Sequence, residues 1–144
     1  MPLSKVAAGM VSALIAAANV NHPGSKAPTD TNRTNALSPN PFRIVRTLMG
    51  NASWYGPGFR GHRTASGEVF NPSRSTIASR HLPFGTRVRV TFMRTGRSAE
   101  AKVNDRGPFH RSRIIDCSEG LARRIGLHSA GSGRVKVEIL KKKQ

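Results

Sequence analysis

Two segments in the C-terminal half of the chain alternate strictly between apolar and polar side chains. Strict alternation with a period of two predicts a strand that is buried on one face. The apolar positions are Val88, Val90 and Phe92 in residues 86–92, and Val135, Val137 and Ile139 in residues 134–140. We therefore expect two half-buried strands with these side chains facing the core.

Shorter strand candidates lie between and before these two segments, separated by glycine and proline turns. They cover residues 50–55, 75–79, 98–104 and 113–116. Ser118, the charges of residues 119–125 and Gly126 predict one short helix with an N-terminal cap and a left-handed C-terminal residue. Several short strands and one or two short helices predict a mainly all-β fold, a small closed barrel whose closure protects the strand edges.

The N-terminal third has the composition of a targeting segment followed by a linker. Lys5 precedes an apolar run over residues 6–20 that ends among alanines, as in a secretory signal. The run is shorter than the ~20 residues that a membrane span needs. We expect a signal peptide over residues 1–18, a disordered linker over 19–47, a folded domain over 48–140 and a basic tail over 141–144. Without a cysteine near the cleavage region, we expect no lipid anchor.

The charge of the chain points to an acidic partner. The sequence has 24 Lys+Arg and 7 Asp+Glu, a formal net charge of +17. Nucleic acid, anionic lipid and an acidic wall polymer would all attract such a chain. A nucleic-acid surface needs arginines interleaved with aromatic rings on one face, but Phe92 is expected to face inward. Together with the apparent export signal, this argues against a specific nucleic-acid partner.

Composition also restricts metal and disulfide chemistry. Cys117 is the only cysteine, which excludes an intramolecular disulfide and a multi-cysteine zinc site. The five histidines are scattered without helical spacing. We therefore expect no metal site, and we expect Cys117 to be an inert buried thiol.

Three of the few carboxylates stand at strand ends or in loops, where barrels carry functional groups. Asp105 lies in the loop 104–108, which glycine and proline fix, and Arg106 could pair with a carboxylate there. Asp105 is a candidate general acid for glycosidic cleavage, or it pairs with an arginine to hold the loop. Asp116 could instead bond backbone amides, and Glu68 is either a second carboxylate or a loop acceptor.

Three aromatic residues, Trp54, Tyr55 and Phe59, precede and follow a glycine turn. They could stack on sugar rings, or they could pack in the core.

Seven short motifs, in this order and spacing, resemble the rare lipoprotein A family, and the resemblance covers residues 49–140. They are GNASWYG at 50–56, TASGE at 64–68, LPFGTRVRV at 82–90, TGRS at 95–98, VNDRGP at 103–108, RIIDCS at 113–118 and RVKVEIL at 134–140. The resemblance implies a six-stranded double-psi β-barrel.

The resemblance also implies a function at the bacterial cell wall. Such a protein would be a peptidoglycan lytic transglycosylase, which cleaves between N-acetylmuramic acid and N-acetylglucosamine and leaves a 1,6-anhydro end. It would act as a monomer in the periplasm or on the wall, on glycan strands, and without a cofactor.

The resemblance assigns roles to several residues. Asp105 and Glu68 fall on the catalytic acidic positions. Asp116 matches another acidic position of the family. Apart from the resemblance, we expect Asp116, His81, Ser79 and Arg106 to support the site, and Trp54, Tyr55, Phe59 and Thr64 to bind substrate.

This sequence departs from the family at three points. Ser79 stands where members commonly have a histidine; His81, two residues on, would point to the same face of an extended strand about 7 Å away. Cys117 replaces an aliphatic residue. A lipobox and a C-terminal repeat domain are missing, so septal targeting is not expected. The serine keeps open an alternative, a non-catalytic wall-binding or wall-loosening barrel of the expansin type.

Overall fold

A computed structural model describes residues 39–144 of the chain. The predicted signal peptide and the first part of the predicted linker lie outside these residues. The strands and helices are β1 (Phe42–Tyr55), β2 (Thr76–Ser79), β3 (Arg87–Phe92), β4 (Ser98–Asp105), β5 (Arg113–Ser118), α1 (Glu119–Ile125), α2 (Leu127–Ala130) and β6 (Ser132–Lys142). No helix in this part of the chain is long and apolar enough to cross a membrane.

The six strands form a closed barrel in the order β1-β5-β2-β4-β3-β6, and β6 pairs with β1 to close it. The pairs β1–β5 and β2–β4 are parallel, and the other four pairs are antiparallel. The predicted six-stranded, mainly all-β barrel with short helices is therefore confirmed. Because β2 lies between β4 and β5, this order joins segments that are far apart in sequence.

The two alternating segments bury the side chains that their patterns select. Val88, Val90 and Phe92 on β3 and Val135 and Val137 on β6 are all within the core. Ile139 is only partly buried against the core, whereas the next residue, Leu140, is 6% exposed. The alternation of β6 shifts there because the register between β1 and β6 is irregular at the same point.

The predicted helix is present with its predicted ends. The Ser118 hydroxyl accepts the Leu121 N–H at 3.4 Å, and Gly126 is left-handed with φ 83°. The same hydroxyl accepts the Thr76 N–H at 3.1 Å and therefore also ties the helix to β2. Helix α2 has four residues and no side-chain cap, so the sequence carries no signal for it.

Both ends of the domain extend further than the sequence predicts. β1 begins at Phe42, inside the predicted linker, and β6 continues to Lys142, inside the predicted tail. The linker is therefore wrong for residues 42–47 and the tail for residues 141–142. Phe42 and Arg43 pair with Lys142 and Lys141 as a two-stranded ribbon, and residues 44–47 pair with residues 138–140 of β6. The adjacent apolar residues Ile44 and Val45 in this first part of β1 are 49% and 47% exposed, so no alternation marks the strand.

Candidate active site

A groove of about 230 Å³ opens on the side of the barrel where the ends of β1, β4 and β5 approach β2. Its floor and walls come from these strands and from the loops that follow β1 and β4. The residues important for its chemistry are Tyr55, Phe59, Ala78, Asp105, Phe109 and Asp116.

The strand order explains why two carboxylates meet in this groove. Ala78 on β2 is the register partner of Asp105 on β4 and of Asp116 on β5. Neighbouring strands are about 4.8 Å apart, so the two acidic residues have Cα atoms separated by about 10 Å across Ala78. The small alanine side chain leaves space between them.

Two backbone amides hold the carboxylate of Asp105. Its Oδ1 accepts the N–H of Ala65 at 2.9 Å and the N–H of Arg106 at 2.8 Å. Within the described part of the chain, Oδ2 accepts no hydrogen bond. The carboxylate is thus fixed through one oxygen while the other is left for a ligand.

Asp105 differs from every other acidic residue in residues 39–144, because it alone makes no ion pair. The five others are paired: Glu68 with Lys102, Glu100 with Arg87 and Arg89, Asp116 with Arg113, Glu119 with Arg123, and Glu138 with Arg89 and Lys136. In a chain with so many cations, this is an unusual environment for a carboxylate.

Arg106 does not pair with Asp105, so the sequence-based alternative of a loop-holding ion pair is wrong. Its Nη1 donates to the carbonyl oxygens of Ser79 at 3.0 Å and Leu82 at 2.9 Å. Its Cζ lies 3.7 Å from the centroid of the Phe84 ring. The side chain instead clamps the turn after β2 to the loop after β4.

Asp116 is held by side chains, not by the backbone amides that the sequence leaves open. Its Oδ1 accepts the Ser53 hydroxyl at 2.8 Å and Arg113 Nε at 2.9 Å. The side chain is 17% exposed. Asp116 therefore presents a fixed, partly buried carboxylate opposite Asp105.

Glu68 does not line the groove. Its Oε1 accepts Lys102 Nζ at 2.6 Å, and its Oε2 accepts Asn104 Nδ2 at 3.2 Å. The hydrogen bond from Lys102, followed by that from Asn104, lowers the pKa of Glu68 below its usual range. Its main-chain oxygen accepts the Thr64 N–H at 2.8 Å and closes the loop that carries Ala65. Glu68 therefore helps to position the Ala65 N–H that donates to Asp105.

Ser79 and His81 also lie outside the groove lining. Ser79 is 3% exposed, and its Oγ accepts the N–H of Leu82 at 3.2 Å and that of His81 at 3.4 Å. β2 ends at Ser79 and the chain turns, so His81 does not continue an extended strand. The expectation that His81 shares the face of Ser79 is wrong for this reason.

The aromatic candidates separate into two groups. Tyr55 and Phe59 line the groove, with ring centroids 6.1 Å apart, and Thr64 lines it as well. Trp54 stacks on His128 at 4.3 Å and packs against the core, as the packing alternative predicts. Burial raises the pKa of the Tyr55 hydroxyl, so this group stays protonated.

Phe109 lines the groove and was not among the candidates from the sequence. The available signal was a large apolar residue directly after the glycine and proline of the Asp105 loop. Across residues 39–144, no group of three His, Cys, Asp or Glu side chains lies close enough to hold a metal ion.

A closed six-stranded barrel with two parallel pairs, and a groove at the ends of those pairs, defines the class of double-psi β-barrel proteins. A family model described as "Lytic transglycolase" matches residues 47–138. The chain belongs to this family.

Two relatives give the extent of the similarity. The chain is 57% identical over 97 residues to the "Probable endolytic peptidoglycan transglycosylase RlpA" of Synechocystis sp., covering 67% of this chain and 30% of the relative. It is 41% identical over 102 residues to the "Endolytic peptidoglycan transglycosylase RlpA" of Campylobacter jejuni, covering 71% and 37%. The chain therefore matches only about a third of the length of these relatives.

Solved structures share the fold at lower identity. The Streptomyces papain inhibitor matches with a TM-score of 0.56 and 18% identity, over 68% of this chain and 97% of that one. The apo expansin of Clavibacter michiganensis matches with a TM-score of 0.56 and 21% identity, over 69% and 52%. At these identities the likeness shows the barrel fold alone.

Proposed function

We propose that this barrel is a peptidoglycan lytic transglycosylase that cleaves between N-acetylmuramic acid and N-acetylglucosamine, with Asp105 as its acid/base. The observation that carries this proposal is the unpaired Asp105 carboxylate in an open groove. A neighbouring cation lowers the pKa of a carboxyl group, as Lys102 does at Glu68, and so opposes proton donation. Asp105 has no such partner among residues 39–144. The names of the relatives support the same reaction.

One carboxyl group is sufficient for the complete reaction. The Asp105 carboxyl donates its proton to the glycosidic oxygen as the bond from that oxygen to C1 of the muramic sugar breaks. The C6 hydroxyl of the same sugar then attacks C1, and its proton passes to the Asp105 carboxylate. The products are a 1,6-anhydro end and a free hydroxyl on the leaving sugar. No water is consumed, and Asp105 returns to its protonated form.

The contacts of Asp105 suit this exchange. The two amide hydrogen bonds to Oδ1 fix the orientation of the carboxyl group, and Oδ2 is left to carry the proton. Asp116, on the other side of Ala78, is a second fixed carboxylate in the groove, and its pairing with Arg113 leaves the proton transfer to Asp105. We assign Glu68 a supporting role behind the loop that carries Ala65.

The site of action we propose is the periplasm or cell wall, where the barrel acts as a monomer on glycan strands. Arg87 and Arg89, which face outward on β3, are paired with Glu100 and Glu138. Lys141 on the ribbon faces a like charge, Arg43, across the strand pair. The ribbon is therefore the better candidate for a salt-screened attraction to an anionic wall.

A non-catalytic, expansin-like role is the second candidate. The observation in its favour is Ser79, a buried hydroxyl that accepts backbone amides where the family commonly has a histidine. A barrel of this type would bind the wall in the same groove without forming a 1,6-anhydro product.

The test compares the wild-type chain with Asp105→Asn on purified peptidoglycan, with 1,6-anhydro muropeptides measured by mass spectrometry. The asparagine Oδ1 can still accept both amides, so the variant should fold. We expect its rate to fall by about 10²–10⁴, the range for loss of a general acid/base. Glu100→Gln, which removes a carboxylate outside the groove, is the matched control and should keep full activity.

Two results would change the assignment. An Asp105→Asn variant that remains active would transfer the acid/base role to Asp116. Wild-type protein that sediments with the wall but yields no 1,6-anhydro product would establish the non-catalytic alternative.

A further inference from the structure

Phe109 is the most exposed large apolar side chain in residues 39–144. Its side chain is 89% exposed, and the next in rank, Val69, is 58% exposed. Phe109 lies in the loop after β4, four residues beyond Asp105, and lines the same groove. Leaving a phenyl ring in water is unfavourable, and exposed apolar groups gathered at a groove mark a binding site.

The position of the ring relative to the groove floor is given by Gly107. A Cβ atom added to Gly107 would lie 3.9 Å from Cε2 of Phe109 and 3.7 Å from Cβ of Ala78. The edge of the Phe109 ring therefore lies near the methyl group of Ala78, the residue between the two carboxylates. Gly107 has φ 134°, a conformation that favours glycine.

A second exposed ring belongs to the other loop of the groove. Phe59, in the segment after β1, is 56% exposed. The Phe59 ring is edge-on to the rings of Tyr55 and His62, with its centroid 6.1 Å and 6.4 Å from theirs. These two rings hold Phe59 in position. Two loops thus each present one exposed aromatic ring to the groove that contains Asp105.

We infer that Phe109 is a sugar-binding platform beside Asp105, opposite Phe59. The C–H face of a pyranose ring is apolar and flat, and it packs on an aromatic face. A glycan strand in the groove would place one sugar against Phe109 and another against Phe59, with the bond between them at Asp105. The inference rests on the proposed function and deepens it, since it names the contact that sets the position of the scissile bond.

The test uses Phe109→Ala, Phe109→Trp and the control Val69→Ala in the full chain. KM and kcat are measured for 1,6-anhydro product formation from soluble peptidoglycan glycan strands. We expect Phe109→Ala to raise KM by about three- to tenfold, the range for loss of one stacked ring. Phe109→Trp should restore the wild-type KM, and Val69→Ala should leave it unchanged.

A binding experiment separates this inference from the proposed reaction. The affinity of each variant for a tetrasaccharide of alternating N-acetylglucosamine and N-acetylmuramic acid is measured by calorimetry in an Asp105→Asn background. If Phe109→Ala binds the tetrasaccharide more weakly and the other variants do not, the result would support Phe109 as the sugar-binding platform even if the wild type formed no product. Equal binding and equal KM for Phe109→Ala and the wild type, with unchanged thermal midpoints, would overturn it.

Discussion

Replacing Arg106 by methionine tests the clamp that joins two loops of the groove. The methionine keeps much of the aliphatic stem and removes the guanidinium. It therefore deletes the hydrogen bonds to the carbonyl oxygens of Ser79 and Leu82 and the contact with the Phe84 ring. The Asp105 carboxylate is not an ion-pair partner of Arg106, so the direct charge effect on catalysis is small.

The magnitude follows from these three contacts. A hydrogen bond from a charged group is worth about 1.5–3 kcal/mol, and an exposed cation–π contact about 0.5–1 kcal/mol. Arg106 is half-buried and water can reach part of the site, so the lower values apply. We expect Arg106→Met to lower the free energy of unfolding by about 3–4 kcal/mol, and the melting temperature of a domain of this size by about 12–30 °C.

The assay is urea unfolding followed by Trp54 fluorescence, with Arg111→Met as the control. Arg111 is an exposed arginine in the loop before β5, and its loss should change the unfolding free energy by no more than about 0.5 kcal/mol. Arg106→Lys should recover less than half of the loss, since an ammonium group cannot reproduce the planar contact with Phe84. A loss below about 1 kcal/mol for Arg106→Met would refute the clamp.

Three further predictions concern single side chains. Glu68→Gln should lower the free energy of unfolding by about 0.2–1 kcal/mol at pH 7, the range for an exposed ion pair. Because Lys102 lowers the pKa of Glu68, this loss of stability is present above the ordinary glutamate pKa and should vanish as the pH falls through the lower pKa of the folded state. Unfolding curves of both proteins at several pH values would show this. Ser79→His, which restores the residue that the family commonly has, should raise the rate of 1,6-anhydro product formation; an unchanged rate in a folded variant would mean that no imidazole is needed at position 79. Burial raises the pKa of the Cys117 thiol, so a thiol reagent should label it only after denaturant is added, and rapid labelling of the native protein would contradict this.

The barrel was predictable from the sequence where one face of a strand is buried. Val88 and Val90 alternate with arginines because β3 has one face in the core and one in water. The start of β1 at Ile44 and Val45 was not predictable, because these two adjacent apolar side chains are 49% and 47% exposed and do not alternate with polar ones. An alternating pattern arises only where one face of a strand is buried, so a strand that is exposed on both faces cannot be predicted from it.

The candidate site was only partly predictable for a different reason. The motifs selected Asp105 and Asp116, and strand pairing on both sides of Ala78 brings them together. Glu68 has equally suggestive neighbours in sequence, but its side chain turns to Lys102. Which partner a side chain takes depends on strands that are far away in the chain, and local sequence does not contain that information.

The arginines of the groove illustrate the point and explain why Asp105 is unpaired. Arg106 follows Asp105 directly, and Arg63 also lines the groove, so either could have neutralised the carboxylate. Arg106 donates to two carbonyl oxygens, and Arg63 Nη1 donates to the carbonyl oxygen of Gly67 at 2.8 Å. Both guanidinium groups are engaged by backbone acceptors that belong to the loops around the groove. In residues 39–144 of a chain of net charge +17, the fold keeps one carboxylate without a cation by giving the two arginines of the groove other partners. A carboxyl group that must gain and lose a proton in each catalytic cycle requires this kind of environment.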